Sequence, residues 1–589
     1  MQLTNLDIGI IFGFFVVFIL IGLLISKNAS KSGVDFFLSG RNMPWWLLGI
    51  SMVATTFSAD TPNLVTQIVR ENGIAGNWVW WTFLLTGMLT VFVYARLWRR
   101  SEVLTDLEFY EIRYSGKAAA FLRGFRAIYL GVFFNIMIMA SVCLAAIKIG
   151  GILFGLQDWE CVLYASIITV FYSMLGGLKS VIISDFIQFI IAMVGAIWAA
   201  IYVINLPEIN GLDNLLTHTN VANKLNFLPE INDTKSLVIL LIIPIAVQWW
   251  SVWYPGAEPG GGGYIAQRML SAKDEKHAIG ATFLFNIAHY ALRPWPWILI
   301  ALSSLIIYPD LLSIQNAFPN VDKSLIGNDI AYPAMLTKLP SGLLGLVTAS
   351  LVAAFMSTIS THLNWGSSYI AFDFYKRFLK PNCNEKELVN IGRISTIILM
   401  VFSGVLALYL KSAKDAFEIL LQIGAGTGLI FILRWFWWRV NAYSEITGMI
   451  VSFAVALWFH FGQEPLLGFT LETHIELIFS VAITTIVWIV VTLITPSTSD
   501  IVLAKFYNKV TPYGIGWNGF KNKTKEKLVI EPPTESPFND IASMFLGIAV
   551  VYCSLFGFGF LIYGNLTFGL ILLAIAFILG IGIFTINRK

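Results

Sequence analysis

Apolar residues in this chain gather in long runs, and polar residues fall in the stretches between them. A helix needs about 20 mostly apolar residues to cross a bilayer. Fifteen runs answer to that description: Leu6–Ser26, Pro44–Val69, Trp78–Trp98, Ala120–Phe154, Cys161–Leu178, Ile182–Leu206, Leu237–Pro255, Ala278–Tyr308, Ser341–Tyr375, Val389–Leu410, Ala416–Trp438, Glu445–Phe461, Ile475–Thr495, Ser543–Tyr563 and Leu566–Thr585. The first has no basic residue before it and no small-residue cleavage site after it, so it reads as a span rather than a signal peptide. The pattern predicts an all-α membrane protein of about fifteen spans.

Composition excludes the alternatives. Of 589 residues, 57% are hydrophobic and 12% charged, against about 25% charged in soluble proteins. A soluble domain with so few charges would expose large apolar patches, so a cytosolic enzyme, a disordered chain and a fibrous one are all excluded. The net charge of +3 is too small for a nucleic-acid footprint. The cysteines (Cys143, Cys161, Cys383, Cys553) form neither a metal spacing nor a disulfide framework. The expected surroundings are a lipid bilayer, with no obligatory protein partner.

Basic residues mark cytoplasmic loops. One alternate set carries Lys27, Lys31 and Arg41, then Arg99, Arg100, Arg113 and Lys117, then Lys273 and Lys276. It continues with Lys376, Arg377, Lys380 and Lys386, and ends on Lys505, Lys509, Lys521, Lys523, Lys525 and Lys527. The other set is sparse, with Arg70, Lys224, Lys235, Lys323, Lys411 and Lys414. The N-terminus is therefore expected outside and the C-terminus inside, in a bacterial inner or eukaryotic plasma membrane. The basic stretch 496–540 reads as a solvated cytoplasmic connector between a body and the C-terminal helix pair 541–589.

Two spans are broken. Ser58–Ala59–Asp60–Thr61–Pro62 interrupts the second, and Trp253–Tyr254–Pro255–Gly256–Ala257–Glu258–Pro259, followed by Gly260 to Gly263, interrupts the seventh. Each break lies in the first member of a five-span set. Interrupted segments at matching positions of two halves point to a transporter site. The organisation expected is a leading helix and loop (1–43), two five-helix repeats (44–206 and 207–440), peripheral helices (441–495), the connector and the final pair.

Several motifs resemble the sodium/solute symporter family, whose members carry sugars, proline or sialate. Leu351–Val352–Ala353–Ala354–Phe355–Met356–Ser357–Thr358–Ile359–Ser360–Thr361 resembles its eighth core helix. Thr105–Asp106–Leu107–Glu108–Phe109 with Arg113–Tyr114, Gly176–Gly177–Leu178–Lys179 with Ser184–Asp185 and Gln188, and Gln267–Arg268 resemble further family marks. The resemblance covers roughly residues 5 to 495. It implies a LeuT-like five-plus-five inverted repeat with one leading and about four trailing helices.

The resemblance also implies sodium sites. The shared ion would take the carbonyls of Ala54, Phe57 and Ala354 and the hydroxyls of Ser357 and Thr358. A second ion would take Asp185, with Ser184, Ser360 and Thr361 nearby, so two Na⁺ are expected. Oxygen donors suit a hard cation, and an intramembrane carboxylate is costly and usually functional. The same hydroxyls could instead serve as polar contacts between helices, and Asp185 could cap its span or pair with Lys179. For the solute, the breaks offer Asp60 and Thr61, and Gln248, Trp249, Trp250, Trp253, Tyr254 and Glu258. Aromatic faces beside hydrogen-bonding groups suit a small amphipathic solute such as a pyranose. Arg293, mid-span, could pair with Glu258 or Asp60 or bind a substrate carboxylate. Gln422 falls near a sugar-contacting glutamine of the family. The expectation is sodium-coupled import of a small organic solute, sugar-like by preference. The rivals are a proton-coupled or uncoupled carrier of an amino acid or carboxylate, with Asp185 or Glu258 taking the proton, and, remotely, an integral-membrane enzyme.

Overall fold

The computed structural model describes residues 3–29, 33–252, 258–410, 423–462, 468–524 and 537–586. Helix α1 (Asn5–Ala29) leads. Helices α2 (Trp45–Thr56) and α3 (Asp60–Asn72) are the two halves of the second expected span. They are followed by α4 (Ile74–Ser101), α5 (Gly116–Phe154) and α6 (Asp158–Ile204). Helices α7 (Thr234–Trp250) and α8 (Gly263–Ser271) are the halves of the seventh span. Next come α9 (Glu275–Ile307), α10 (Leu343–Leu379), α11 (Glu385–Ala407) and α12 (Gly428–Phe436). The chain ends with α13 (Ala442–His460), α14 (Thr473–Ile494), α15 (Asp500–Val510), α16 (Asn518–Thr524), α17 (Pro537–Ile562) and α18 (Leu566–Ile586).

Ten of the described helices are long and apolar enough to cross a membrane, and α2 and α7 add shorter apolar segments. Where they are described, the expected apolar runs fall on helices. Two of them share α6, and Ala416–Trp438 is described only from Ile423 onward. Within α6 the helix breaks at Gly177, whose φ is 58°. A Cβ there would lie 2.7 Å from the Phe36 carbonyl oxygen, so both the conformation and the contact require glycine.

The breaks have local causes. Helix α2 ends where Phe57 turns extended, and α3 restarts with Pro62 in its first turn, where a missing N–H costs nothing. At the second break Gly260 and Gly261 hold φ of 85° and 83°. The Trp98 indole N–H donates to the Gly260 carbonyl at 2.8 Å. The Asp106 carboxylate then accepts from the Gly263 N–H at 2.8 Å, which caps the amino end of α8.

Short backbone bonds join the start of α2 to the end of α8: Met43 N–H donates to the Ser271 carbonyl and Lys273 N–H to the Met43 carbonyl, at 3.2 and 3.1 Å. One half-helix begins at this edge and the other ends there, as an inverted relation between two halves requires. Helix α10 packs along α6, and α9 packs against α2. The breaks therefore sit inside a bundle and not on its surface.

One expectation needs correction. The connector is not wholly solvated: Leu503, Phe506, Tyr507 and Val510 on α15, with Trp517 and Phe520 beyond it, are buried in the cluster that holds Trp98, Phe109 and Trp435. The Trp517 indole N–H donates to the Trp435 carbonyl at 2.9 Å. Helix α18, by contrast, leaves Phe568, Leu570, Phe577, Ile578 and Phe584 exposed, a face for which lipid is the natural solvent.

Candidate functional site

A cavity of about 170 Å³ lies between the two broken helices. Asp60 and Thr61 reach it from the start of α3, and Thr55, Thr56 and Ser58 from the end of α2 and the break. Helix α4 supplies Trp80 and Phe83, α8 supplies Tyr264, and α10 supplies Thr358 and His362. His289, Tyr290 and Arg293 come from α9. Their position has a backbone cause. Pro294 has no N–H and crowds the preceding turn, and the helix widens over Ala288–Leu292, with Arg293 N–H bonding back to the Ala288 carbonyl at 3.2 Å.

The sodium ligands expected on α10 divide between two places. The Thr358 hydroxyl donates to the Thr55 carbonyl at 3.0 Å and so spans from α10 to the last turn of α2. That turn has carbonyls with no helical partner ahead of them, because the helix stops. Phe57 N–H bonds back to the Val53 and Ala54 carbonyls at 2.9 and 3.3 Å. A second lone pair on each carbonyl remains for a cation. Ala54, Phe57 and Thr358 thus lie where α2 and α10 meet at a break, and Ala354 precedes Thr358 by about one turn on α10. Ser357 turns the other way, and its hydroxyl donates to Asp185 at 2.6 Å.

Asp185 is fully buried on α6. Its second oxygen accepts from Ser51 at 2.5 Å, and Arg268 of α8 stands 3.6 Å away. Arg268 also donates to Thr361 at 2.9 Å and to Thr55 at 3.1 Å. The expected pairing with Lys179 therefore gives way to Arg268. Of the hydroxyls expected around a second ion, Ser360 bonds back to the Ser357 carbonyl at 3.0 Å, and Thr361 is bound to Arg268. Ser184 is buried next to Asp185 in the chain. The hydroxyls on Asp185 are Ser51 and Ser357.

Residues 36–452 match the sodium:solute symporter family. The chain belongs to that family. Among its relatives are a sodium/glucose cotransporter of Vibrio parahaemolyticus, 25% identical with 78% of this chain and 86% of the relative covered, and a sodium/mannose cotransporter of Bos taurus, 27% identical with 77% and 78% covered. A sodium/sialic acid symporter of Proteus mirabilis is 24% identical, with 78% and 90% covered. A solved structure of a Na⁺-coupled sialic acid symporter, in a substrate-bound outward-open state, superposes with a TM-score of 0.65 over 84% of this chain and 99% of that one, at 20% identity. That likeness carries the LeuT-like fold. The protein is a multi-pass membrane transporter and not an enzyme, and it couples Na⁺ to the movement of a small solute.

The symporter's remaining candidates sort by position. Asp60, Thr61 and Arg293 line the main cavity. Gln248, Trp249 and Trp250 do not. The Gln248 amide donates to the Val79 carbonyl at 2.7 Å, the Trp249 carbonyl accepts from Thr86, and the Trp250 indole bonds back to the Ala246 carbonyl at 3.0 Å. This short turn spends its polar groups on α4 and on its own preceding turn. Trp253, Tyr254 and Gln422 lie outside the described residues.

Glu258 is corrected most. It lines a smaller neighbouring void and not the main cavity, and its partner is neither Arg293 nor the cavity itself. Its carboxylate contacts Arg126 of α5 and lies 3.9 Å from Arg434 of α12. Glu445 of α13 is 3.8 Å from Arg126 and 3.6 Å from Arg434. Two guanidinium groups and two carboxylates thus balance in a site with almost no exposure. Sequence reasoning missed this network, and it missed Ser51 and Thr55. The latter two sit four residues apart on one face of α2, which apart from Thr56 is apolar, so the polar stripe was open to reading.

Proposed function

We propose that this symporter imports a small polyhydroxylated solute with two sodium ions by alternating access. The Thr358–Thr55 contact across the first break carries the reading. An ion among the end carbonyls of α2 and the hydroxyl of Thr358 would tie α2 to α10, and Ala54, Phe57 and Ala354 would supply further oxygens. The second ion would bind Asp185 with Ser51 and Ser357. Arg268, held by Thr55 and Thr361, neutralises that carboxylate in the ion's absence and must move away from it as the ion arrives, since two cations on one carboxylate repel. With the N-terminus outside, α3 and α7 form the external half of the site, and α2 and α8 the cytoplasmic half. The Arg126–Glu258–Arg434–Glu445 network then closes the inner side.

The solute would lie against Asp60 and Thr61, with the stacked pair Trp80 and Tyr290, centroids 5.8 Å apart, offering an apolar face. The relatives' names, which include glucose, mannose and sialic acid, agree with a sugar-like solute. Each ligand favours the competent state, and the coupling is reciprocal. Two ions moving inward would gain about 4.6 kcal/mol per 100 mV of inside-negative potential. Proton coupling through Glu258 fits less well, because that carboxylate already contacts a guanidinium; at Asp185 a proton and a sodium ion would compete for one carboxylate, and the uptake assay separates them. The test is solute uptake into proteoliposomes driven by an inward sodium gradient. It is expected to require Na⁺ and to be stimulated by an inside-negative potential. Uptake that persists in K⁺ under a proton gradient would overturn the reading.

A further inference from the structure

Among the described residues, Arg293 is a buried arginine of the bundle interior that is held by long contacts alone. Its guanidinium makes three contacts, to the Val53 carbonyl at 3.3 Å, the Thr56 hydroxyl at 3.3 Å and the His289 ring at 3.4 Å. All three stand at the long edge of hydrogen bonding. Its Nε, buried, has no partner. Among the described residues no carboxylate lies within 4 Å of it, although Arg126, Arg268 and Arg434 each face one. Arg113, also without a carboxylate at that range, is instead gripped by backbone, its Nε donating to the Arg434 carbonyl at 2.7 Å. Asp60, on the same cavity, is its nearest counter-charge but stands outside contact range, so a guanidinium whose own contacts are long and go to neutral groups keeps donors free for an anion.

Its surroundings prepare it to receive one. The guanidinium lies over the Trp297 ring at 5.6 Å, and that ring stacks on Phe57 at the first break. The plane is thus set from one side while Arg293 lines the cavity. The cavity's carboxylate, Asp60, needs no cation from the solute. It is the first residue of α3, where the helix amino end favours negative charge. Asp60 can therefore serve as an acceptor for hydroxyls.

We propose that Arg293 is an anion subsite of this cavity, and that the transported solute is a hydroxylated monocarboxylate of the sugar-acid kind. The carboxylate would dock on Arg293 beside His289, with hydroxyls on Asp60 and Thr61. This rests on the reading of the cavity as the symport site. A guanidinium–carboxylate pair is directional and charge-assisted, so it discriminates strongly against a neutral analogue.

The experiment is thermal stabilisation and calorimetric titration of the purified, sodium-loaded protein with matched pairs: glucuronate against glucose, galacturonate against galactose, and glycerate against glycerol. At least one acid is expected to bind at least tenfold more tightly than its neutral partner. Arg293→Gln is expected to collapse that ratio, with Arg293→Lys retaining part of it. Equal binding of acid and neutral partner overturns the subsite, as does tighter binding of the zwitterion serine than of glycerate. If every acid fails while Na⁺ alone still stabilises the protein, the subsite falls and symport stands. If Na⁺ has no effect either, the symport reading itself falls. The comparison of acid with neutral partner uses the unaltered protein, so it holds even where Arg293→Gln fails to fold.

Discussion

Glu258→Gln is the most informative perturbation of the inner network. The carboxylate of Glu258 contacts Arg126 and lies 3.9 Å from Arg434. Removing its charge leaves Glu445, at 3.8 and 3.6 Å, as the carboxylate within 4 Å of the two buried guanidinium groups among the described residues, with Asp106 more distant. Breaking a buried pair by taking one partner costs about 3–5 kcal/mol. Glutamine keeps a neutral hydrogen bond to Arg126, worth about 1 kcal/mol, so about 2–4 kcal/mol is lost. Glu258 belongs to the segment that leads into the half-helix α8, while Arg126, Arg434 and Glu445 stand on α5, α12 and α13. If the network exists only while the inner side is closed, the loss falls on that state alone. Inward opening is then favoured by about 30- to 700-fold, at tenfold per 1.4 kcal/mol. The assay places a reporter cysteine at Thr427, which lines a second small void beside Glu258 and Arg126, in a background lacking Cys143, Cys161, Cys383 and Cys553. An impermeant maleimide applied from the cytoplasmic face reads the opening, and Glu258→Gln is expected to label much faster than its parent. The added change Arg126→Gln should cost less than the sum of the two single changes, because the pair acts as a unit. A labelling rate within twofold of the parent, in protein still stabilised by Na⁺, would refute the gating role.

Asp185→Asn should lower the Hill coefficient for sodium from near two toward one, measured by uptake against external Na⁺. A coefficient of one in the unaltered protein would leave a single ion. Gly177→Ala forces a side chain into a φ of 58° and places its Cβ 2.7 Å from the Phe36 carbonyl oxygen. It should destabilise by more than 1 kcal/mol, seen as a lowered Tm in detergent, and an unchanged Tm would count against that packing. Trp517→Ala empties a fully buried site against Trp435 and Phe506. A loss of about 3–5 kcal/mol follows from the cavity it leaves, whereas no change in Tm would mean that the connector is solvated after all.

The membrane architecture was legible because bilayer solvation leaves helices as the way to satisfy so much apolar backbone. The breaks were legible because Pro62 and the glycine run Gly260–Gly263 cannot sit in a continuous helix. Asp185 stood out as a carboxylate within an apolar run. The partners of these groups were not legible. Arg126 is 132 positions from Glu258, and no local pattern joins them. Arg293 was found, but whether it had a carboxylate partner depended on distances that a sequence does not carry. Gln248, Trp249 and Trp250 were assigned by their proximity to the break, but the direction of three consecutive side chains on a short turn is set by packing. The packed connector was readable in part. Leu503, Phe506, Tyr507 and Val510 recur at helical spacing, but the surrounding lysines and glycines outweighed that stripe when composition was used to judge the segment.

The central claim is that sodium ties α2 to α10 across the first break. The most direct measurement is the Tm of the purified protein in NaCl against KCl at equal ionic strength, for the unaltered chain and for Thr358→Ala. An ion that binds only the folded protein stabilises it by about 2.7 kcal/mol at a hundred times its Kd. The account predicts a sodium-specific rise in the unaltered protein that Thr358→Ala moves to much higher sodium concentrations. Identical Tm values in the two salts, or a sodium response that Thr358→Ala leaves unaltered, would contradict it.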